Sequence, residues 1–388
     1  MELDNYFYRI NQVLLSACGF WPQQSKREKT IRRFIFFIID LSNFPPLIVY
    51  ACYNWRDADA LAVCFAFITS YSLGVTKISN NIIQDKKIQY LFKQIKYHWN
   101  VWSSEPQVKL IQQFANQARS YNFMYTVAVC ASASSYTVIT VVPEIYYLLA
   151  QCTNVTRDPS IFAEEFGIDS EKYFHWILAY SVISVWVNSI IYVTADIMYL
   201  TLVQHACGIL CAVGNRFEDV NLLYRNQTAK NLNFLIFKDL LFCIQQHNIA
   251  LKFANILNEV YSLYFLCTVG LNAASLVFVA SQTVIHLDKF DNVVKFGNYG
   301  LLIICLLFLS SFPAQKLMDQ SSTISQNIYN TYWYEMPISI KKSLFFVLVR
   351  TSNLCTIKIW KFYVLSLQTF ASILQTTISV CMLLLSVR

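Results

Sequence analysis

Seven long apolar runs constrain this chain more than any other feature. They lie at residues 34–53, 58–80, 121–150, 173–203, 256–285, 296–318 and 362–386 of a 388-residue sequence. A helix of about 20 apolar residues crosses a hydrocarbon core roughly 30 Å thick, and backbone that enters lipid must satisfy its own hydrogen bonds. The sequence therefore predicts an all-α membrane protein with seven transmembrane helices. Hydrophobic residues make up 56% of the chain and charged residues 14%, far from the balance of a soluble domain.

Basic residues set the expected orientation, because Lys and Arg accumulate in cytoplasmic segments. Of the 30 Lys and Arg, only Arg56, Arg157, Lys172, Lys289, Lys295 and Arg388 fall on one side of the seven-span arrangement. The rest crowd the N-terminal segment and the loops after spans two, four and six. This predicts a cytoplasmic N-terminus and an extracellular C-terminus. The net charge of +7 then reports topology, and no nucleic-acid partner is expected. No secretory signal peptide is expected, since the cluster Lys26 to Arg33 abuts span one without a cleavage site.

Local features of the outer side agree. Asn154-Val155-Thr156 is a glycosylation sequon in a loop placed outside, although Asn226-Gln227-Thr228 lies in one placed inside. The same outer loop gathers Asp158, Glu164, Glu165, Asp169 and Glu171, which reads as a solvated acidic loop. Cys52 and Cys152 lie toward the outside and are candidates for a disulfide. The remaining cysteines read as small packing residues.

The inner segments, 83–120, 207–252 and 319–358, are patterned rather than loose. Ile88, Leu91, Phe92, Ile95, Trp99 and Trp102 recur at helical spacing with lysines opposite, an amphipathic helix. Ile324, Ile328 and Trp333, then Ile340, Leu344, Phe345, Val347 and Leu348, repeat the pattern on either side of Pro337. These segments are expected to pack as cytoplasmic helical extensions, with helices lying on the membrane surface as the alternative.

Catalytic chemistry is hard to find. The histidines 98, 175, 205, 247 and 286 form no ligand-spaced pair, and neither a phosphate loop nor a Cys-x-x-Cys occurs; no enzyme activity, metal or cofactor is expected. Ionisable residues inside spans ask for a function. By rise per residue, Asp196 and Glu259 fall at the inner interface and Glu144 at the outer one. Asp40 is placed to pair with Lys77.

A ligand pocket is expected in the outer halves of the spans. Phe67 and Tyr71 on span two, Ser134, Thr137 and Val138 on span three, Trp176, Tyr180, Ile183 and Val187 on span four, and Tyr299 on span six combine aromatics with a few hydroxyls. Such linings suit small ligands, and helix packing uses the same residues. Without charge among them, the ligand is expected to be neutral and lipophilic.

The last apolar run reads as one helix from Phe362 to Arg388, with Thr369, Ser372, Thr376, Ser379 and Leu383 on one face, ending at Ser386 or Val387. Lipid would not select this face. Either another helix packs on it or water passes along it, and composition alone leans toward packing.

Gly19-Phe20-Trp21-Pro22 before span one resembles a short element of the insect odorant receptors. The end of the chain is more specific. Gln315, Leu317, Ser321, Tyr329 and Trp333, the pair Lys341-Lys342, Arg350 and Phe370-Ala371-Ser372 resemble that family's C-terminal signature. Ala314 departs from it, standing where Gly or Cys is usual.

The resemblance implies a seven-helix receptor subunit of an odour-gated, nonselective cation channel in the membrane of olfactory neurons, assembled as a hetero-oligomer, a tetramer, with a shared co-receptor. It implies that the last helix lines the pore, with Thr376 and Ser379 in a vestibule and Leu383 and Val387 at the gate. It places Tyr329 and Trp333 in a cytoplasmic anchor between subunits, and a small volatile ligand between spans two to six. The long insertion that marks the co-receptor is missing between spans four and five, so the chain looks like an odour-tuning subunit. A gustatory-type receptor of the same superfamily, a G-protein-coupled receptor of opposite orientation and a non-channel scaffold remain as alternatives.

Overall fold

The computed structural model describes residues 2–149, 166, 172–225, 232–285, 287 and 290–387. The sequons at Asn154 and Asn226, the acidic loop residues and Cys152 lie outside the described residues, so the glycosylation and disulfide readings are not addressed by the fold.

Helix α1, Glu2–Ala17, leads into α2, Lys26–Leu41. Their junction is a helix-ending turn in which the Gly19 and Phe20 N–H groups donate to Ser16 and Leu15 carbonyls at 3.3 and 2.7 Å. Gly19 has φ 75°, the left-handed geometry such a turn requires, and a side chain there would meet the Lys29 carbonyl at 2.9 Å. The Gly-x-Trp-Pro element is therefore a backbone device that folds α1 back along the bundle.

The first expected span is not one continuous helix. It breaks at Ser42-Asn43, between α2 and α3, Phe44–Tyr53. Pro45 and Pro46 lack the N–H groups that would continue the ladder. The Asn43 side-chain amide takes over instead, donating to the Ile39 and Asp40 carbonyls at 2.8 and 3.3 Å.

The remaining helices are α4, Ala58–Ile83; α5, Asp85–Trp102; α6, Val108–Leu149; α7, Phe174–Arg225; α8, Leu232–Ile285; α9, Phe290–Tyr329; α10, Ile338–Thr351; and α11, Leu367–Val387. Six stretches among the described residues are long and apolar enough to cross a membrane: Lys26–Tyr53, Ala60–Ile83, Val108–Tyr146, Phe174–Val220, Phe234–Ile285 and Phe296–Tyr329. The seventh expected span, α11, falls short of that measure, because its apolar run, Leu367–Leu383, is shorter. Its 21 residues still rise roughly 31 Å.

α7 forms the axis of the bundle and packs against α4, α6, α8 and α9. Nearly every residue from Ile191 to Gly214 is buried, as expected for a helix apolar all round. The long helices run without interruption into the segments expected to lie inside. α5 packs on α7 and α8 through Ile88, Leu91, Ile95, Trp99 and Trp102, all buried, with Lys86, Lys87, Lys93 and Lys96 exposed. Arg33 reaches Asp85 at 2.6 Å, and Arg216 joins Glu105 and Asp239 at 2.7 and 3.0 Å.

The last helix is also shorter than its apolar run. Lys358–Ile359 (β1) and Tyr363–Val364 (β2) pair antiparallel, turning at Trp360 with φ 52°. An apolar run does not by itself distinguish strand from helix. Here the Ser366 hydroxyl caps α11 by accepting from the Thr369 N–H at 3.2 Å, which fixes its start. The hairpin docks on α8, where Asn258 Oδ1 accepts from the Lys358 N–H at 2.7 Å.

A buried histidine pair joins α5 to α7. His98 Nδ1 and His205 Nε2 are 3.0 Å apart and the rings stack. One nitrogen must donate and the other accept, so the pair requires at least one neutral ring and excludes protonation of both. Burial pushes His98 down to about 4. Its unfolded value is about 6.5, so the destabilisation is absent above that pH and grows as pH falls from 6.5 toward 4. Acidifying purified receptor through that range is expected to lower its unfolding temperature, and His98→Asn is expected to weaken the dependence. Identical pH profiles for the two proteins would remove His98 as the cause.

Candidate functional site

A cavity of about 130 Å3 lies among α4, α6, α7 and α9, close to the roughly 150 Å3 of an apolar cavity that holds benzene. On α4, Val63, Ala66, Phe67, Ser70 and Tyr71 line it, the spacing of one helix face. α6 supplies Val129, Ser132, Ala133, Ser135, Tyr136 and Ile139. α7 supplies Val185, Asn188, Ser189 and Tyr192, and α9 supplies Phe296, Asn298, Tyr299 and Leu302. Phe67 and Tyr136 meet edge to face at 6.2 Å. No lining residue carries a formal charge, so the walls suit a neutral guest.

Most polar atoms in the wall bond to the protein itself. The Ser189 hydroxyl donates to the Val185 carbonyl at 2.8 Å and Ser135 to that of Ser132 at 2.9 Å. With its proton used, Ser135 Oγ accepts from Asn298 Nδ2 at 2.6 Å, and Ser132 Oγ accepts from the same nitrogen at 3.2 Å. Asn298 Oδ1 and the Ser132 hydroxyl proton keep capacity for a guest.

The cavity brings together Phe67, Tyr71 and Tyr299 of the expected ligand-binding residues. The other seven lie elsewhere. Thr137 accepts from Trp186 Nε1 at 3.1 Å, and Tyr180 bonds Ser42 at 2.8 Å. Ser134, Val138 and Ile183 are exposed, Trp176 is 77% exposed, and Val187 packs against the core. On α6 and α7 the lining sits about one residue, or roughly 100°, around the helix from the expected face. Lipid-facing and bundle-facing residues are equally apolar, so hydrophobicity does not fix a membrane helix's rotation. The polar residues Ser132, Asn188, Ser189 and Asn298 were the available signal, since such side chains inside spans turn toward the bundle.

Beside the cavity lies an ion pair that sequence reading misplaced. Lys77 does not pair with Asp40. Its Nζ donates to Asp196 Oδ1 and Oδ2 at 2.6 and 2.7 Å and to the Tyr264 hydroxyl at 2.8 Å. Tyr264 donates to Asp196 at 2.5 Å, and Tyr125 donates to the other carboxylate oxygen. Asp196 thus sits inside the bundle, its side chain 17% exposed. Tyr192 lines the cavity and lies 4.7 Å from the Lys77 ammonium. Glu259 pairs instead with Lys87 at 2.8 Å, and Glu144 lies 3.6 Å from His175.

α11 packs on α8 and α9 through a narrow stripe. Phe370, Ile373 and Leu374 touch the core, Thr377 and Cys381 are buried, and Phe370 meets Phe308 edge to face at 5.8 Å. The opposite face is unpartnered among the described residues: Ser372, Thr376 and Ser379 are exposed and Leu383 is 61% exposed. Their hydroxyls donate to the carbonyls of Gln368, Ser372 and Gln375 at 2.8–3.0 Å. Val387 ends the helix, and its side chain lies outside the described residues. Tyr329 ends α9, 68% exposed, and Trp333 lies in the turn that follows. Ile338, Phe345, Phe346 and Val349 add exposed apolar surface on α10.

Similarity to known proteins agrees with this architecture. A solved structure of olfactory receptor OR5 from Machilis hrabei, in complex with eugenol, superposes with a TM-score of 0.81 at 14% identity, covering 100% of this chain and 99% of that one. Odorant receptor Or2 of Anopheles gambiae is 25% identical over 148 residues, 37% of this chain and 38% of that protein. The odorant receptor coreceptor of Aedes aegypti is 23% identical over 167 residues, 42% of this chain and 34% of its own length. The matched segments thus span about a third of these relatives. A sequence profile described as 7tm odorant receptor matches residues 58–378. The chain belongs to the 7tm odorant receptor family, whose members are receptors and not enzymes.

Proposed function

We propose that this chain is an odour-tuning subunit of a ligand-gated, nonselective cation channel, with seven spans, a cytoplasmic N-terminus and an extracellular C-terminus. The observation that carries the reading is the exposed polar face of α11. Packing within the chain was the competing account of that stripe, and the stripe turns away from its own bundle. Copies of α11 around a shared axis would line a pore with Ser372, Thr376 and Ser379 and constrict it at Leu383 and Val387. A hydrophobic constriction gates by excluding water, and a helix without acidic residues gives weak ion selectivity.

The exposed apolar surface at Tyr329, Trp333 and α10 supports assembly into a tetramer with a co-receptor, since large exposed apolar patches mark protein interfaces. The ligand is a small, neutral volatile with one polar group, held in the cavity by apolar contact and by Asn298 and Ser132. The eugenol complex of the Machilis hrabei receptor is consistent with that class of guest. Binding opens the pore only by the difference in ligand affinity between the closed and open states.

Co-expression with a co-receptor is expected to give an odour-evoked cation current that either subunit alone does not reproduce. Leu383→Ala is expected to raise the resting current or alter ion block. An unaltered current and block in that variant would remove α11 from the pore.

A further inference from the structure

We propose that the elbow between α2 and α3 holds a sodium ion against α7. Asp40 is 1% exposed, and among the described residues neither of its carboxylate oxygens has a hydrogen-bond partner. An uncompensated buried carboxylate is costly, so such a group is ordinarily paired or coordinates a cation. The cation expected from the sequence to pair with it is already committed. Lys77, one turn along α4 from Gly74, gives its three N–H donors to both Asp196 oxygens and to Tyr264.

The other groups at the elbow also present oxygen. A methyl added to Gly74 would lie 2.5 Å from Asp40 Oδ2 and 2.6 Å from Asn188 Oδ1, so these two acceptors converge on the bare backbone of Gly74. Asn188 Oδ1 has no partner, and its Nδ2 donates to Ser70 at 3.1 Å. Asn43 turns its nitrogen to the Ile39 and Asp40 carbonyls, which leaves Oδ1 buried and unbonded. Ser184 is also buried without a partner. It lies on the face of α7 midway between Tyr180, which touches Ser42, and Asn188, which approaches Asp40. All of Asp40, Asn43, Ser184 and Asn188 are more than nine-tenths buried.

One formal negative charge with neutral oxygens, and no imidazole or thiolate, suits a hard monovalent cation. A divalent ion asks for more carboxylates. Asn188 also lines the ligand cavity, so the ion and the ligand share a wall residue. Linkage then makes each affect the affinity of the other by the same factor.

The test is thermal unfolding of the purified full-length receptor, with its co-receptor, in sodium, potassium or choline chloride at constant ionic strength. Raising sodium from about 10 to about 300 mM is expected to lift Tm by about 2 °C, with choline inert and potassium weaker. Asp40→Asn is expected to abolish the sodium effect. Gly74→Ala, which keeps the carboxylate but places a methyl between the two oxygens, is expected to do the same. Identical curves in the three salts would overturn the proposal and assign Asp40 to a proton, or to a reversed Asn188 amide that donates to it. Sodium dependence retained in Asp40→Asn would overturn it equally.

Discussion

Replacing Lys77 by methionine is expected to leave little folded receptor. The variant keeps the stem of the side chain and removes three donors from a buried carboxylate. Asp196 would keep the Tyr125 and Tyr264 hydroxyls but lose the ammonium that both of its oxygens bond. Breaking a buried pair by deleting one partner costs about 3–5 kcal/mol, a large share of the roughly 5–15 kcal/mol that stabilises a typical fold. The pair also joins α4 to α7 next to Tyr264 of α8, so its loss loosens three helices together. Size-exclusion profiles of detergent extracts and surface labelling would read the effect. Removing both charges, with Lys77→Met and Asp196→Leu, is expected to recover part of the folded yield, because the desolvation cost disappears with the charge. A single Lys77→Met variant that matches wild type would show that Asp196 carries no unpaired buried charge, the carboxyl being hydrated or protonated.

How much of this was legible in the sequence differs by level. Helix existence was, because runs of about 20 apolar residues have one structural solution in lipid. The α5 stripe was also legible, from Ile88 to Trp102, because water on one side and protein on the other impose a phase. Inside the membrane that contrast vanishes. The rotations assigned to α6 and α7 therefore put Val138, Trp176 and Ile183 toward the ligand, whereas Ala133, Asn188 and Ser189 line the cavity. Partner choice among charges was equally obscure. Lys77 has Asp40 and Asp196 within reach of its helix, and which one it bonds is decided by how α4 lies along α7. The break at Ser42-Asn43 was written in Pro45 and Pro46, whereas the second strand of the hairpin before α11 was hidden in an apolar run that serves strand and helix alike.

Filling the cavity from Ala133 gives the largest expected effect on ligand response. Ala133 is 3% exposed, and its α6 face meets the space that Phe67, Tyr71 and Tyr299 enclose from α4 and α9. A phenyl ring needs about the volume that an apolar cavity of roughly 150 Å3 gives to benzene, and the space here is about 130 Å3. Ala133→Phe should occupy it with the protein's own side chain and exclude any guest. Overpacking costs about 1–3 kcal/mol where a core is full, and less where the added atoms enter existing space, so surface expression and resting current should stay near wild type. The concentration of odorant needed for half-maximal current is expected to rise at least ~100-fold, equivalent to about 2.7 kcal/mol of lost binding. Asn298→Leu, which leaves the space and removes one polar contact of about 1 kcal/mol, is expected to shift it only several-fold. The order of the two effects separates exclusion by volume from loss of a hydrogen bond. An unchanged response in Ala133→Phe, with normal expression, would place the ligand outside this cavity and leave Phe67, Tyr71 and Tyr299 as packing residues.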